Sequence, residues 1–262
     1  MFGDNFPQEH VIGFFNLGHA LLIIVYLFGV IALAIHNRKH TRQYIEGVIK
    51  GCAIYLIVTE LIKIIIAFIE TRSYSAMFPL PYCGLFIPAI ILSLFKNKTI
   101  KHIGYTFMVV GGLVGGILYI FFPNGSIDQY PLYHVKAFHG ISYHFIMAFL
   151  GLTLLTTGMF KLKKKDWIFY SAFFTAFTFV AIFTNTFLGT HSLFLNTGAG
   201  IGILQEICDR VPLLYGIIVY SAECFLAFFG IFYIYRFVKT HFHFKTQSVI
   251  LLQEEQMEPE NA

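Results

Sequence analysis

Apolar stretches of about 20 residues recur along this chain, separated by short polar breaks. As helices, such stretches cross a hydrocarbon layer roughly 30 Å thick. Seven candidate spans stand at 11–36, 47–71, 81–95, 103–122, 132–160, 167–188 and 213–237. The third is short, and the fifth is long enough to tilt or to project beyond a bilayer. Hydrophobic residues make up 57% of the 262 positions and charged residues only 12%, with 31 phenylalanines. A soluble domain carries roughly a quarter charged residues, so this chain lacks the polar surface to cover a water-soluble globule. The expected fold is an all-α polytopic membrane protein, a seven-helix transmembrane bundle. It occupies 1–240 as a single domain, ahead of a polar cytoplasmic tail at 241–262 that is expected to be disordered.

Basic residues set the orientation. "HNRKHTRQ" (36–43), "KNKTIK" (96–101), "KLKKKD" (161–166) and the segment around Arg236, Lys239 and Lys245 are rich in lysine and arginine. The alternate connections hold Arg72, no Lys or Arg in "PNGSIDQYPLY" (123–133), and Arg210. Cytoplasmic loops retain positive charge, so the N-terminus is expected outside and the C-terminus inside, in a cell membrane crossed several times. The first ten residues, "MFGDNFPQEH", have no basic n-region, and no small-residue cleavage site follows the first apolar run. A removable signal peptide is therefore not expected. The net charge of +4 is small and confined to short loops; membrane lipids, not nucleic acid, are the expected partners. No internal repeat of the kind that builds two-fold transporters is evident.

Ionisable groups within spans cost several kcal/mol by insertion scales, so each needs a partner or a task. Glu60 and Lys63, three apart, can pair on one face of span two. Glu223, beside Cys224, lies near mid-membrane in span seven, where it could be buried or could pair with Lys63 or His144. Span four carries Gly111, Gly112, Gly115 and Gly116 in "GGLVGGILY", overlapping small-residue pairs that let another helix approach closely. Span five places His134, His139 and His144 in its outer half. Five residues turn a helix by about 140°, so His139 and His144 face different ways and a metal site on this helix alone is disfavoured. The four cysteines, Cys52, Cys83, Cys208 and Cys224, form no CxxC or CxxH pattern. Neither a metal nor another cofactor is expected.

Cys83 is the most pointed of these residues. It follows a Pro-Leu-Pro step in "FPLPYCGLFIPA" (78–89), at the outer end of span three. Its expected depth is shared by His139, His144, Asn185 and His191. A free cysteine beside an apolar helix is usually a small hydrophobe. A histidine within reach would instead stabilise the thiolate and make it a nucleophile, and an asparagine could hold the ring.

The segments "FPLPYC", "FHGISYHFIMAFLGLTLLTTG" (138–158) and "NTFLGTHSLFL" (185–195) together resemble the YwaF-like bacterial integral membrane proteins. The similarity spans about residues 50–236. It extends distantly to a eukaryotic transmembrane acyltransferase that builds polyunsaturated ether phospholipids, in which a cysteine is proposed to carry the acyl group. The resemblance implies that Cys83 is that cysteine and that His144, with His139 second, is the family histidine. Asn185 is then the family asparagine. Relatives often carry a second Asn or Asp after Gly-Thr, where this chain has His191. The implied function is a lipid acyltransferase or acyl hydrolase with a cysteine nucleophile and a histidine base. Asn185 would orient the histidine or donate to the oxyanion. The alternatives are a small-solute transporter or membrane binding component, with Glu60, Lys63, Glu223 and the histidines lining a polar path, or a scaffold or sensor without turnover.

Overall fold

A computed structural model describes residues 11–71, 80–123, 125–198 and 202–241. Arg72, the first ten residues and the expected tail beyond His241 lie outside them. In chain order the helices are α1 (Leu17–Asn37), α2 (Arg42–Thr71), a 3-10 turn at Tyr82–Leu85 leading into α3 (Phe86–Ser93), and α4 (Lys98–Phe121). They continue with α5 (Val135–Thr156), α6 (Trp167–Leu188), α7 (Gly202–Arg210), α8 (Pro212–Ser221), a π-helical turn at Ala222–Leu226, and α9 (Ala227–His241). No strand occurs among the described residues.

Local sequence explains where these helices start and stop. The Asn16 side chain caps α1 by accepting the backbone N–H of His19 at 2.9 Å. His134 caps α5 by accepting the N–H of Lys136 at its Nδ1. Gly189, at φ 63°, closes α6 in the left-handed conformation that glycine adopts without steric cost. Pro212 opens α8 at a position where its missing N–H has no helical partner to lose.

Six segments are long and apolar enough to cross a membrane: Leu17–Asn37, Arg42–Ile69, Lys98–Phe121, Val135–Thr156, Lys164–Leu188 and Pro212–His241. The third expected span is the shorter apolar helix Tyr82–Ser93. As a helix it reaches only about 20 Å, short of a hydrocarbon layer of roughly 30 Å. Large apolar side chains point outward from the long helices, Phe28 on α1 being 73% exposed and Phe187 on α6 70%. Outward phenylalanines at such exposure are what a helix in lipid presents.

The chain forms two compact units. Among the described residues, one is built from 11–56 together with 112–161, the other from 57–111 together with 162–241. In the first, α1 packs along α5. The Tyr26 hydroxyl donates to the Gly116 carbonyl at 2.8 Å, and a ring nitrogen of His19 meets the Ile120 carbonyl at 2.8 Å. A Cβ on Gly116 would lie 2.7 Å from both the Ala148 nitrogen and the His144 carbonyl oxygen. The small-residue pattern of span four thus does bring α4 backbone against α5. Gly111 differs, since the three atoms nearest to an added Cβ there all belong to the Phe107 ring of its own helix.

The second unit holds an aromatic core. Phe107 stacks on Tyr170 with ring centroids 5.5 Å apart, Tyr82 lies 5.8 Å from Phe107, and Phe228 lies 5.8 Å from Tyr170. Gly104 lets α4 touch α3 backbone to backbone, an added Cβ there falling 2.5 Å from the Ala89 oxygen. Asp166, fully buried, accepts from the Lys163 N–H at 2.7 Å and pairs with a ring nitrogen of His102 at 3.0 Å.

Candidate functional site

Pro81 takes φ −67° and ψ 162°, so the chain enters the 3-10 turn extended and starts coiling at Tyr82. Cys83 is the second residue of that turn. Its thiol is half-buried there.

The segment before Cys83 is held from outside. The Leu193 N–H donates to the Leu80 carbonyl at 2.8 Å. To reach it, Leu193 and Phe194 both adopt φ 53°, a left-handed conformation costing a side-chain-bearing residue roughly 1–2 kcal/mol. Asn185 organises the loop that carries this strain. Its Oδ1 accepts from the Ser192 N–H and the Thr190 hydroxyl, each at 2.7 Å, and its Nδ2 donates to the Ser192 carbonyl at 3.1 Å. The Asn185 oxygen and one amide hydrogen are therefore spent within its own loop.

Glu223 lies in the π-helical turn, where the Ala227 N–H reaches back five residues to the Ala222 carbonyl. One inserted residue per π turn re-aims the neighbouring side chains and displaces a carbonyl from the α pattern. The Glu223 carbonyl takes its hydrogen from the Tyr170 hydroxyl at 2.9 Å. Tyr170 has one hydroxyl hydrogen, so at 2.6 Å it is Tyr82 that donates to Tyr170. The chain Tyr82, Tyr170, Glu223 carbonyl thus ties the turn carrying Cys83 to the π turn. The Cys83 thiol lies within electrostatic reach of the Glu223 carboxyl and, more weakly, of the Lys63 ammonium. Glu223 Oε2 is buried and has no hydrogen-bond partner among the described residues.

The remaining sequence candidates divide clearly. Lys63 and Glu60 pair with each other at 2.5 Å, as their spacing predicts, with Glu60 the more shielded of the two. His191 is exposed, its Nδ1 3.2 Å from the Asn196 side-chain oxygen. Cys83, Asn185, Glu60, Lys63, His191 and Glu223 all belong to the second unit; His139 and His144 belong to the first.

In that first unit, His144 Nδ1 lies 2.7 Å from the Gly140 carbonyl oxygen. A carbonyl only accepts, so Nδ1 carries the proton and Nε2 holds the lone pair of the neutral ring. The imidazole stacks on Tyr119 with centroids 3.7 Å apart and planes 4° from parallel. The Tyr119 hydroxyl donates to Ser126 at 2.5 Å and passes over Gly140, where any Cβ would strike it. The rings of His139 and His144 each lie 5.5 Å from that of Tyr143. Tyr82, Tyr119 and Tyr170 escape a reading by residue type, because tyrosine in an apolar helix reads as aromatic core. The adjacency of Tyr82 to Cys83 in "PLPYC" is the one local sign of its place.

A described architecture without strands and with six helices fit to cross a membrane defines an integral membrane protein of the multi-pass class. The chain belongs to the TMEM164 family, which it matches over residues 6–233. No curated protein and no solved structure matches it.

Proposed function

We propose that this protein is a membrane-embedded lipid acyltransferase or acyl hydrolase, with Cys83 as the nucleophile and His144 as its general base. The observation that carries the reading is the setting of Cys83. Its thiol stands on the first turn of a helix, behind a segment clamped by a strained loop, with a carboxyl and an ammonium in electrostatic reach. A cysteine that only filled space would need none of these. The Cys83 sulfur attacks the acyl ester of a lipid, and the ester oxygen leaves with the proton His144 has taken from the thiol. The resulting thioester gives its acyl group to a lysolipid or to water.

His144 suits the role because the Gly140 carbonyl selects the tautomer with its basic lone pair at Nε2. His139 is the second choice. Asn185 is a positioning residue in this reading, holding the loop that pins Leu80. The closed Glu60–Lys63 pair speaks against a polar conduit lined by those two side chains. Seven crossings of a cell membrane, with the N-terminus outside, complete the proposal, and membrane lipids are both solvent and substrate.

The test is labelling in membranes with an acyl-phosphonate or thiol-directed activity probe. Cys83→Ala is expected to abolish labelling, and His144→Ala to slow it by about 10²-fold or more. Labelling that survives unchanged in Cys83→Ala overturns the assignment. Solute uptake into proteoliposomes that depends on Glu223 or Glu60 and tolerates Cys83→Ala would establish the transporter reading instead.

A further inference from the structure

Acyl transfer through a thioester has two halves, and the second needs a group to take the proton of the incoming acceptor. Around Cys83 most polar side chains are already committed. Lys63 is paired with Glu60, and the hydroxyl hydrogens of Tyr82 and Tyr170 are spent in sequence on Tyr170 and the Glu223 carbonyl. Asn185 is engaged by Thr190 and Ser192. Glu223 Oε2 is different: it is a buried acceptor with no donor among the described residues, on a π turn, in electrostatic reach of the sulfur. Buried polar atoms are almost always hydrogen-bonded in the working state of a protein. The donor that acyl transfer must bring to the sulfur is the hydroxyl of the acyl acceptor.

Resting on the acyl-transfer reading, we infer that Glu223 is the catalytic base of the second half-reaction, accepting at Oε2 the proton of the acceptor lysolipid's hydroxyl beside the acylated Cys83. As the hydroxyl oxygen bonds to the thioester carbonyl carbon, its proton moves to Glu223 Oε2. The C–S bond then breaks with its electron pair passing to sulfur, and the proton passes from Glu223 to that sulfur. The product is the ester, and both Cys83 and Glu223 return to their starting states. The two half-reactions thereby use different bases, His144 for acylation and Glu223 for transfer. The tyrosine chain acts as positioning structure, holding the π turn in register with the turn that carries the thiol.

The experiment uses the full chain in lipid nanodiscs. It is given a phospholipid labelled in its acyl chain, and the acyl-thioester on Cys83 is followed by mass spectrometry. Label is then chased with a lysophospholipid, whose hydroxyl needs a base, or with an arenethiol, which is already ionised at neutral pH. Glu223→Gln is expected to form the thioester normally and to accumulate it. Its transfer to lysophospholipid should fall about 10²-fold or more, while transfer to the arenethiol stays within about threefold of wild type. Glu223→Asp, which keeps a carboxyl at shorter reach, should give an intermediate rate to lysophospholipid and an unchanged rate to arenethiol. Transfer to lysophospholipid at the wild-type rate in Glu223→Gln overturns the inference. So does an equal loss to both acceptors in both variants, since that pattern belongs to a structural role. A wild-type chain that never forms the thioester overturns the Cys83 reading itself, and the role of Glu223 falls with it.

Discussion

Asn185 illustrates what one polar side chain does at membrane depth. It makes three hydrogen bonds within the loop Thr190–Ser192, and that loop delivers the Leu193 N–H to Leu80, three residues before Cys83. Asn185→Leu should therefore destabilise the protein by about 1–3 kcal/mol, the cost of leaving buried partners unmet, read as a lower Tm in detergent. It should also slow probe labelling of Cys83, because the segment before the thiol is released. Asn185→Asp keeps the acceptor oxygen and should fall between the two. The tyrosine pair gives a second prediction at this scale. Tyr82→Phe and Tyr170→Phe each break the chain to the Glu223 carbonyl, so a double-mutant cycle on Tm should show coupling of about 0.5–3 kcal/mol. Additive effects would mean that the two hydroxyls do not act together.

Helices here pack where glycine permits it. Gly104 sets α4 against the backbone of α3, and Gly116 sets it against that of α5. Each contact involves backbone atoms that a side chain cannot push aside cheaply. Gly104→Ala and Gly116→Ala should each cost about 1–3 kcal/mol by overpacking, measured by thermal unfolding. Gly51→Ala, with open space around its Cα, should cost far less. Only the Gly116 contact is written in the repeated-glycine pattern of span four; Gly104 stands outside it, and its partner backbone becomes visible only once α3 is folded. The π turn at Ala222–Leu226 is equally silent in sequence. The run "YSAECFLAFF" has helical composition throughout, and the contact of its Glu223 carbonyl with the Tyr170 hydroxyl joins residues 53 apart.

For the whole molecule the basic loops make the sharpest prediction. Cysteines introduced singly at 36–43, 96–101 and 161–166, in a background lacking native cysteines, should be shielded from a membrane-impermeant maleimide in intact cells. One at Asp128 should be labelled. Labelling of both 96–101 and 161–166 together with shielding of 36–43 and of Asp128 would show that Tyr82–Ser93 does not amount to a crossing, and six crossings would replace seven.

Much of this protein is legible in one dimension. Hydrophobic runs of membrane length, low charge and the alternation of basic loops define an all-α chain in lipid, because the bilayer imposes its thickness and its intolerance of bare backbone on every sequence inside it. Cys83, Asn185, Glu60, Lys63 and Glu223 also stand out by residue type, since a polar group in a span needs a reason. What each of them does is decided only by tertiary structure. The Glu60–Lys63 pair is local, three residues apart, and its spacing announces it. The Tyr82–Tyr170 bond joins residues 88 apart, the hold on Leu80 comes from beyond α6, and the lone oxygen of Glu223 depends on which neighbours already have partners. Hydrogen bonds saturate, so the role of a polar side chain depends on which others have claimed its partners, and that becomes known only when the chain is folded.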